Sequence, residues 1–161
     1  MKYSVRKTRE EDAEAGSAII LTELHKEFEP LENEYVEMKN KIKNSSGLVL
    51  LKYDEIIGIA IYSFNETDVY RGEPVNFIEH FIVKPEYRHH RRVLMFWGVL
   101  LKIFDNGKKT FLISKDVSTF HSFVRHIYSS KIEGYTSRRR LYMVNEIHRE
   151  KILNLMDKQN G

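Results

Sequence analysis

A chain of 161 residues is long enough to bury a core of its own and points to one domain. Its 42% apolar and 30% charged residues exclude a disordered tract, and the lack of cysteine excludes a disulfide framework, a thiolate zinc site and a cysteine nucleophile. The formal charge of +3 is spread over intermixed acidic and basic residues, which argues against a general nucleic-acid surface. The opening MKYSVRKTREED lacks the apolar core of a signal peptide, and VLMFWGVLLKIF is too short to span a bilayer, so a cytoplasmic protein with no membrane contact is expected.

Along the chain, Tyr3 to Thr8 alternates as a short strand with Tyr3 and Val5 on one face. REEDAEAGSAIILTELHKEF predicts a helix, acidic in its first turn and then apolar at Ala15, Ala18, Ile19, Leu21, Leu24 and Phe28, with Pro30 as its stop. LENEYVEMKNKIKN predicts a second helix, with Leu31, Tyr35, Met38 and Ile42 at three- and four-residue steps. GLVLLKY and IIGIAIYSF flank Asp54 and Glu55 and read as a hairpin. VNFIEHFIVKP is the longest strand candidate, placing Val75, Phe77, Glu79, Phe81 and Val83 on one face. RRVLMFWGVLLKIF then predicts an apolar helix that ends at Asp105 to Gly107, with Phe96 and Trp97 in the core.

KTFLISKD reads as a buried strand and VSTFHSFVRHIYSS as a helix. EGYTS and RLYMV are short strands, and NEIHREKILNLMDK is a final amphipathic helix with Ile147, Ile152, Leu155 and Met156 on a rough stripe. That helix either caps the domain or pairs with a second copy in a homodimer. The pattern predicts an α/β (α+β) fold with a mixed, mostly antiparallel sheet and helices on both faces. A βαβ unit from Val75 through Ile113 sets two parallel strands side by side. Residues 1–143 form the domain, and 144–161 add the C-terminal helix and tail.

The segment FIEHFIVKPEYR, with the element order and length, resembles the GNAT superfamily of acetyl-CoA-dependent N-acetyltransferases. The likeness covers residues 1–143 by topology and about residues 77 to 101 by motif. Val83, Lys84, Pro85, Glu86, Tyr87 and Arg88 match the family's strand end; His89, His90, Arg91, Arg92 and Val93 keep the spacing of its pyrophosphate loop without a glycine. In that loop, backbone N–H groups at a helix N-terminus gather on an anion, and glycines let the backbone approach closely. Arg91 stands where the family has a hydrogen. Its guanidinium either swings outward to hold phosphate beside Arg88 and Arg92, or fills the cleft and excludes coenzyme A.

The resemblance implies acetyl-CoA as co-substrate, its thioester carbonyl held on backbone N–H groups of Phe81, Ile82 and Val83. Glu79 then takes the place of the family's base, directly or through water, and a carboxylate among apolar side chains is a stronger base. A glutamate paired with a cation or turned to the sheet edge is the other reading. Tyr128 is the candidate acid for the departing thiolate, although a rival register puts Phe123, which has no proton to give, at that position. His80 reads as packing, and adjacent His89 and His90 do not make a metal site.

Acyl transfer to a primary amine, on a small molecule or a protein, is therefore expected. A GNAT-like binding or structural protein without catalysis, such as a glycine-poor version encoded by a tailed phage, is the alternative. Nucleic-acid binding through Arg88 to Arg92 and Arg138 to Arg140 ranks last, because no aromatic-basic motif accompanies them.

Overall fold

The computed structural model describes residues 2–24, 30–67, 74–88, 90–114, 129–137 and 140–147, with 150, 153, 154 and 157. In chain order the elements are β1 (Tyr3–Lys7), α1 (Ala13–Leu24), α2 (Glu32–Lys43), β2 (Ser46–Lys52), β3 (Glu55–Thr67), β4 (Pro74–Val83), α3 (His90–Ile103), β5 (Thr110–Ser114), β6 (Ser129–Ser137) and β7 (Arg140–Ile147). Short 3-10 turns occupy Glu10–Asp12 and Pro85–Tyr87. The fold is mixed α/β. Most of the helix predicted over 117–130 lies outside the described residues, as do Phe123, Tyr128 and His89. No helix among the described residues is long and apolar enough to cross a membrane. The chain forms two compact units, Met1–Tyr62 with His80–Val93, and Ser63–Glu79 with Leu94–Gly161.

In the first unit the strand order is β1-β2-β3-β4, with β1–β2 and β2–β3 antiparallel. The β2–β3 connection is the two residues Tyr53 and Asp54, because Lys52 pairs with Glu55. This sets the turn one residue earlier than the sequence pattern suggests, and exposed Tyr53 takes φ +53°. One sheet face presents Val49, Leu51, Ile59, Ile61 and Ile82 to a core shared with Ala13, Ile19, Ile20 and Ile42 from α1 and α2. Leu48, Leu50, Ala60, Phe81 and Val83, on the other face, are buried as well.

The inward side of α1 carries Ala13, Gly16, Ile20 and the expected Ile19 and Leu21, whereas Ala15 and Ala18 are exposed. Gly16 is the physical reason. A Cβ there would sit 2.6 Å from Ile59 Cδ1 and 3.1 Å from Ile42 Cδ1, so its lack of a side chain lets the helix settle on the sheet. At the start of the same helix, Arg6 Nη1 and Nη2 donate to Asp12 Oδ2 and Oδ1 at 2.6 and 2.9 Å. Asp12 Oδ2 also accepts from the Arg9 backbone N–H at 2.7 Å. The Arg6 guanidinium holds the buried Asp12 carboxyl below its ordinary range, and the pairing raises Arg6 in turn.

The second unit orders its strands β4-β5-β7-β6. β4 and β5 are parallel through Asn76–Ile78 and Thr110–Leu112, while β5–β7 and β6–β7 are antiparallel. Val75, Phe77, Ile78, Phe96, Trp97, Leu100, Leu101 and Phe104 are buried there, and the Phe64 and Phe104 rings meet edge to face at 5.5 Å. β6 and β7 outrun the predicted strands. Ser129 pairs with Ile147 and Ser130 with Glu146, so residues whose local pattern reads as helix are held extended by a cross-strand partner. Glu150, Leu153, Asn154 and Asp157 are helical.

Candidate functional site

β4 runs buried on both faces through Val75–Ile78 and again through Phe81–Val83. Between them, Glu79 and His80 are only half-buried, and consecutive residues of a strand point to opposite faces. Past the exposed Pro74, the strand is less covered at this pair than anywhere else along it. Glu79 keeps its Oε2 buried within that opening. The β4–β5 ladder ends at Ile78 and Leu112, so Glu79 to Val83 continue as strand past the last parallel pair. A Cβ on Gly58 would lie 3.2 Å from both Ile82 O and Val83 Cγ2, which keeps β3 close beside this stretch.

The chain leaves β4 through Lys84, whose N–H donates to Ile57 O at 2.8 Å. Pro85 then opens a 3-10 turn, closed by Tyr87 N–H to Lys84 O at 2.9 Å, and α3 starts at His90. Arg88, between turn and helix, is drawn inward. Its Nε donates to Val83 O at 2.8 Å and its Nη2 to Glu23 Oε2 at 2.7 Å. The Glu23 side chain is 7% exposed and that of Arg88 16%, so this is an interior ion pair.

Arg92 lies with Cζ 4.4 Å from the Tyr3 ring centroid, and Lys52 Nζ lies 5.1 Å from that of Tyr87. Tyr3 and Lys52 are themselves cross-strand partners, so β1, β2, the turn and α3 are joined by alternating cations and rings. Lys84 Nζ reaches Glu55 Oε1 at 3.3 Å. Val93 is buried, and Arg91 is exposed.

The spacing of the sequence motif thus becomes a strand, a tight turn and the first turn of a helix. Arg91, Arg92 and Val93 all belong to α3, and His90 opens it. Arg91 is exposed at the surface of its unit. The first turn of α3 carries no acidic residue, whereas α1 has Glu14 and α2 has Glu32 and Glu34 in theirs. Cations at the positive end of a helix repel it, and an anion placed there relieves both. Sequence reasoning missed Glu23 entirely. It stands 65 residues from Arg88, and no local pattern distinguishes it from Glu14, the other glutamate of α1.

No protein-family model and no curated protein matches the sequence. Solved structures do match. A putative acetyltransferase of the GNAT family from Desulfovibrio desulfuricans superposes with a TM-score of 0.68 at 13% identity, covering 92% of this chain and 99% of that one. The PaiA N-acetyltransferase from Thermoplasma acidophilum, in complex with coenzyme A, gives 0.63 at 15% identity over 91% and 99%. A predicted acetyltransferase from Clostridium acetobutylicum, with acetyl-CoA, gives 0.57 at 18% identity over 76% and 88%. The fold of this chain is that of the GNAT acetyltransferases.

Proposed function

We propose that the protein transfers an acetyl group from acetyl-CoA to a primary amine. The observation that carries this reading is β4 running past the end of its parallel ladder and leading, through one tight turn, to a cationic helix start. The strand end from Phe81 through Ile82 to Val83 suits the thioester carbonyl, and the segment from Arg88 through His89, His90, Arg91, Arg92 and Val93 suits the pyrophosphate. Both groups belong to one co-substrate, and the shared fold supports placing them in this order.

In the reaction, the amine nitrogen attacks the thioester carbonyl carbon. Glu79, in that opening along β4, accepts the proton the nitrogen loses. Collapse of the tetrahedral intermediate breaks the carbon–sulfur bond, the acetyl group stays on nitrogen, and the thiolate leaves with a proton. Tyr128, which lies outside the described residues, is proposed as that proton's donor. Positioning of two substrates supplies much of the rate.

Isothermal calorimetry with acetyl-CoA, on the wild type beside Arg91→Gly, tests the donor. Micromolar binding by the wild type supports the reading, and thiol release with a panel of amines then identifies the acceptor. Binding by Arg91→Gly alone would mean a plugged site and a protein that works by contact, the reading the glycine-less turn favours.

A further inference from the structure

We infer that the arginines of the β4–α3 segment divide their work: Arg91 contacts the phosphates, while Arg88 is a positioning residue that fixes the segment by its ion pair with Glu23. The inference rests on the acetyl-CoA reading and assigns roles within it. In sequence the three arginines look equivalent, since Arg88, Arg91 and Arg92 sit within five residues. In the fold they are not. Arg88 gives its Nε to the last carbonyl of β4 and its Nη2 to Glu23, on the final turn of α1. A guanidinium that turned from there toward a ligand would break an interior ion pair whose carboxylate is 7% exposed, and parting a buried pair is strongly unfavourable.

Arg92 is committed in a second way, over the ring of Tyr3. Arg91 alone of the three has an exposed side chain, one residue into α3, on the helix end that attracts anions. The chemistry of each contact fits its role. The Arg88 fork spans a neutral carbonyl and a carboxylate on two separate elements, so it sets the spacing of β4 and α1 within their unit. Because Glu23 lies on α1, the position of the turn is tied to that helix and not to the turn alone.

Coenzyme A binding by calorimetry, with the melting temperature of each protein, separates the roles. Arg91→Gln is expected to bind about tenfold more weakly at an unchanged melting temperature, as for loss of a charged hydrogen bond. Arg88→Gln is expected to lose both affinity and stability. Glu23→Gln, which leaves Arg88 in place but breaks the tether, is expected to weaken binding by about as much as Arg88→Gln does. Glu23→Gln with wild-type affinity would overturn the inference, because Arg88 would then act without its tether. Wild-type affinity in Arg91→Gln would overturn it from the other side. Should Arg88→Gln fail to fold, Glu23→Gln against the wild type decides alone. Wild-type protein that binds no coenzyme A defeats the acetyl-CoA reading instead, and Arg91's role with it, while the melting temperatures still report the Glu23–Arg88 coupling.

Discussion

Asn76 and Asn106 hold each other by both ends of their amides. Asn106 Nδ2 donates to Asn76 Oδ1 at 2.7 Å, and Asn76 Nδ2 donates to Asn106 Oδ1 at 2.9 Å. Asn76 is fully buried near the start of β4, and its N–H donates to Lys109 O at 2.8 Å. Its amide nitrogen also faces Thr110 Oγ1 at 3.3 Å. The loop between α3 and β5 is therefore fastened to β4 by one side chain. Gly107, at φ +75° inside that loop, completes the turn in a conformation that favours glycine.

Replacing Asn76 by Ala should cost about 2–3 kcal/mol, since it leaves buried loop acceptors without their donor. Asn76→Asp should cost more, because it points a carboxylate oxygen at Asn106 Oδ1 and Thr110 Oγ1. Urea denaturation of both variants checks the order, and an Asp variant as stable as the wild type would refute the account.

Stability should also fall in acid through Asp12. Its folded carboxyl titrates below the unfolded one, so its contribution is complete above the ordinary carboxylate range. As pH drops through the lowered folded value, the contribution disappears. Asp12→Ala should be destabilised by roughly 2–3 kcal/mol at neutral pH, from loss of a bidentate ion pair and of the cap on Arg9 N–H. Its deficit against the wild type should close as pH falls toward 2. Denaturation midpoints at a series of pH values measure this.

Gly16→Ala sets two effects against each other. Helix propensity favours alanine by about 1 kcal/mol, but the new methyl would fall 2.6 Å from Ile59 Cδ1 in a packed core. Overpacking costs about 1–3 kcal/mol and should win. Ile59→Val removes the opposing atom, so adding Gly16→Ala on that background should be close to neutral. Thermal melts of the two single variants and the double reveal the coupling.

Glu79→Gln keeps the shape of the side chain and removes its basicity. With a responsive amine, kcat should drop by about 10²-fold or more, while the affinity for acetyl-CoA stays near wild type. Unchanged turnover would remove Glu79 from the mechanism.

How much of this was legible in the sequence depended on the range of the interaction. The hairpin, the long β4 and the apolar α3 were readable because their patterns repeat within a few residues. The inward stripe of α1 was half readable: hydrophobicity picks out Ile19 and Leu21 but also Ala15 and Ala18, while the close approach at Gly16 decides which side turns in. The ends of β6 and β7 were lost for a related reason. Ser129 and Ile147 are strand by virtue of each other, 18 positions apart. In the site, the motif located the turn and helix start, but Glu23 and the rings of Tyr3 and Tyr87 come from distant chain.

The absence of glycine between Val83 and Trp97 also bears on the entropy of binding. A glycine-rich loop samples many backbone states and must surrender them when it closes on a ligand. Here a proline opens the turn, a guanidinium ties it at both sides, and every residue of the first helical turn carries a Cβ. Such a segment has already given up its freedom during folding, so an anion that fits it meets a preorganised receptor and one that does not fit meets a rigid one. The expected result is narrow selectivity among acyl donors with little change in backbone order on binding.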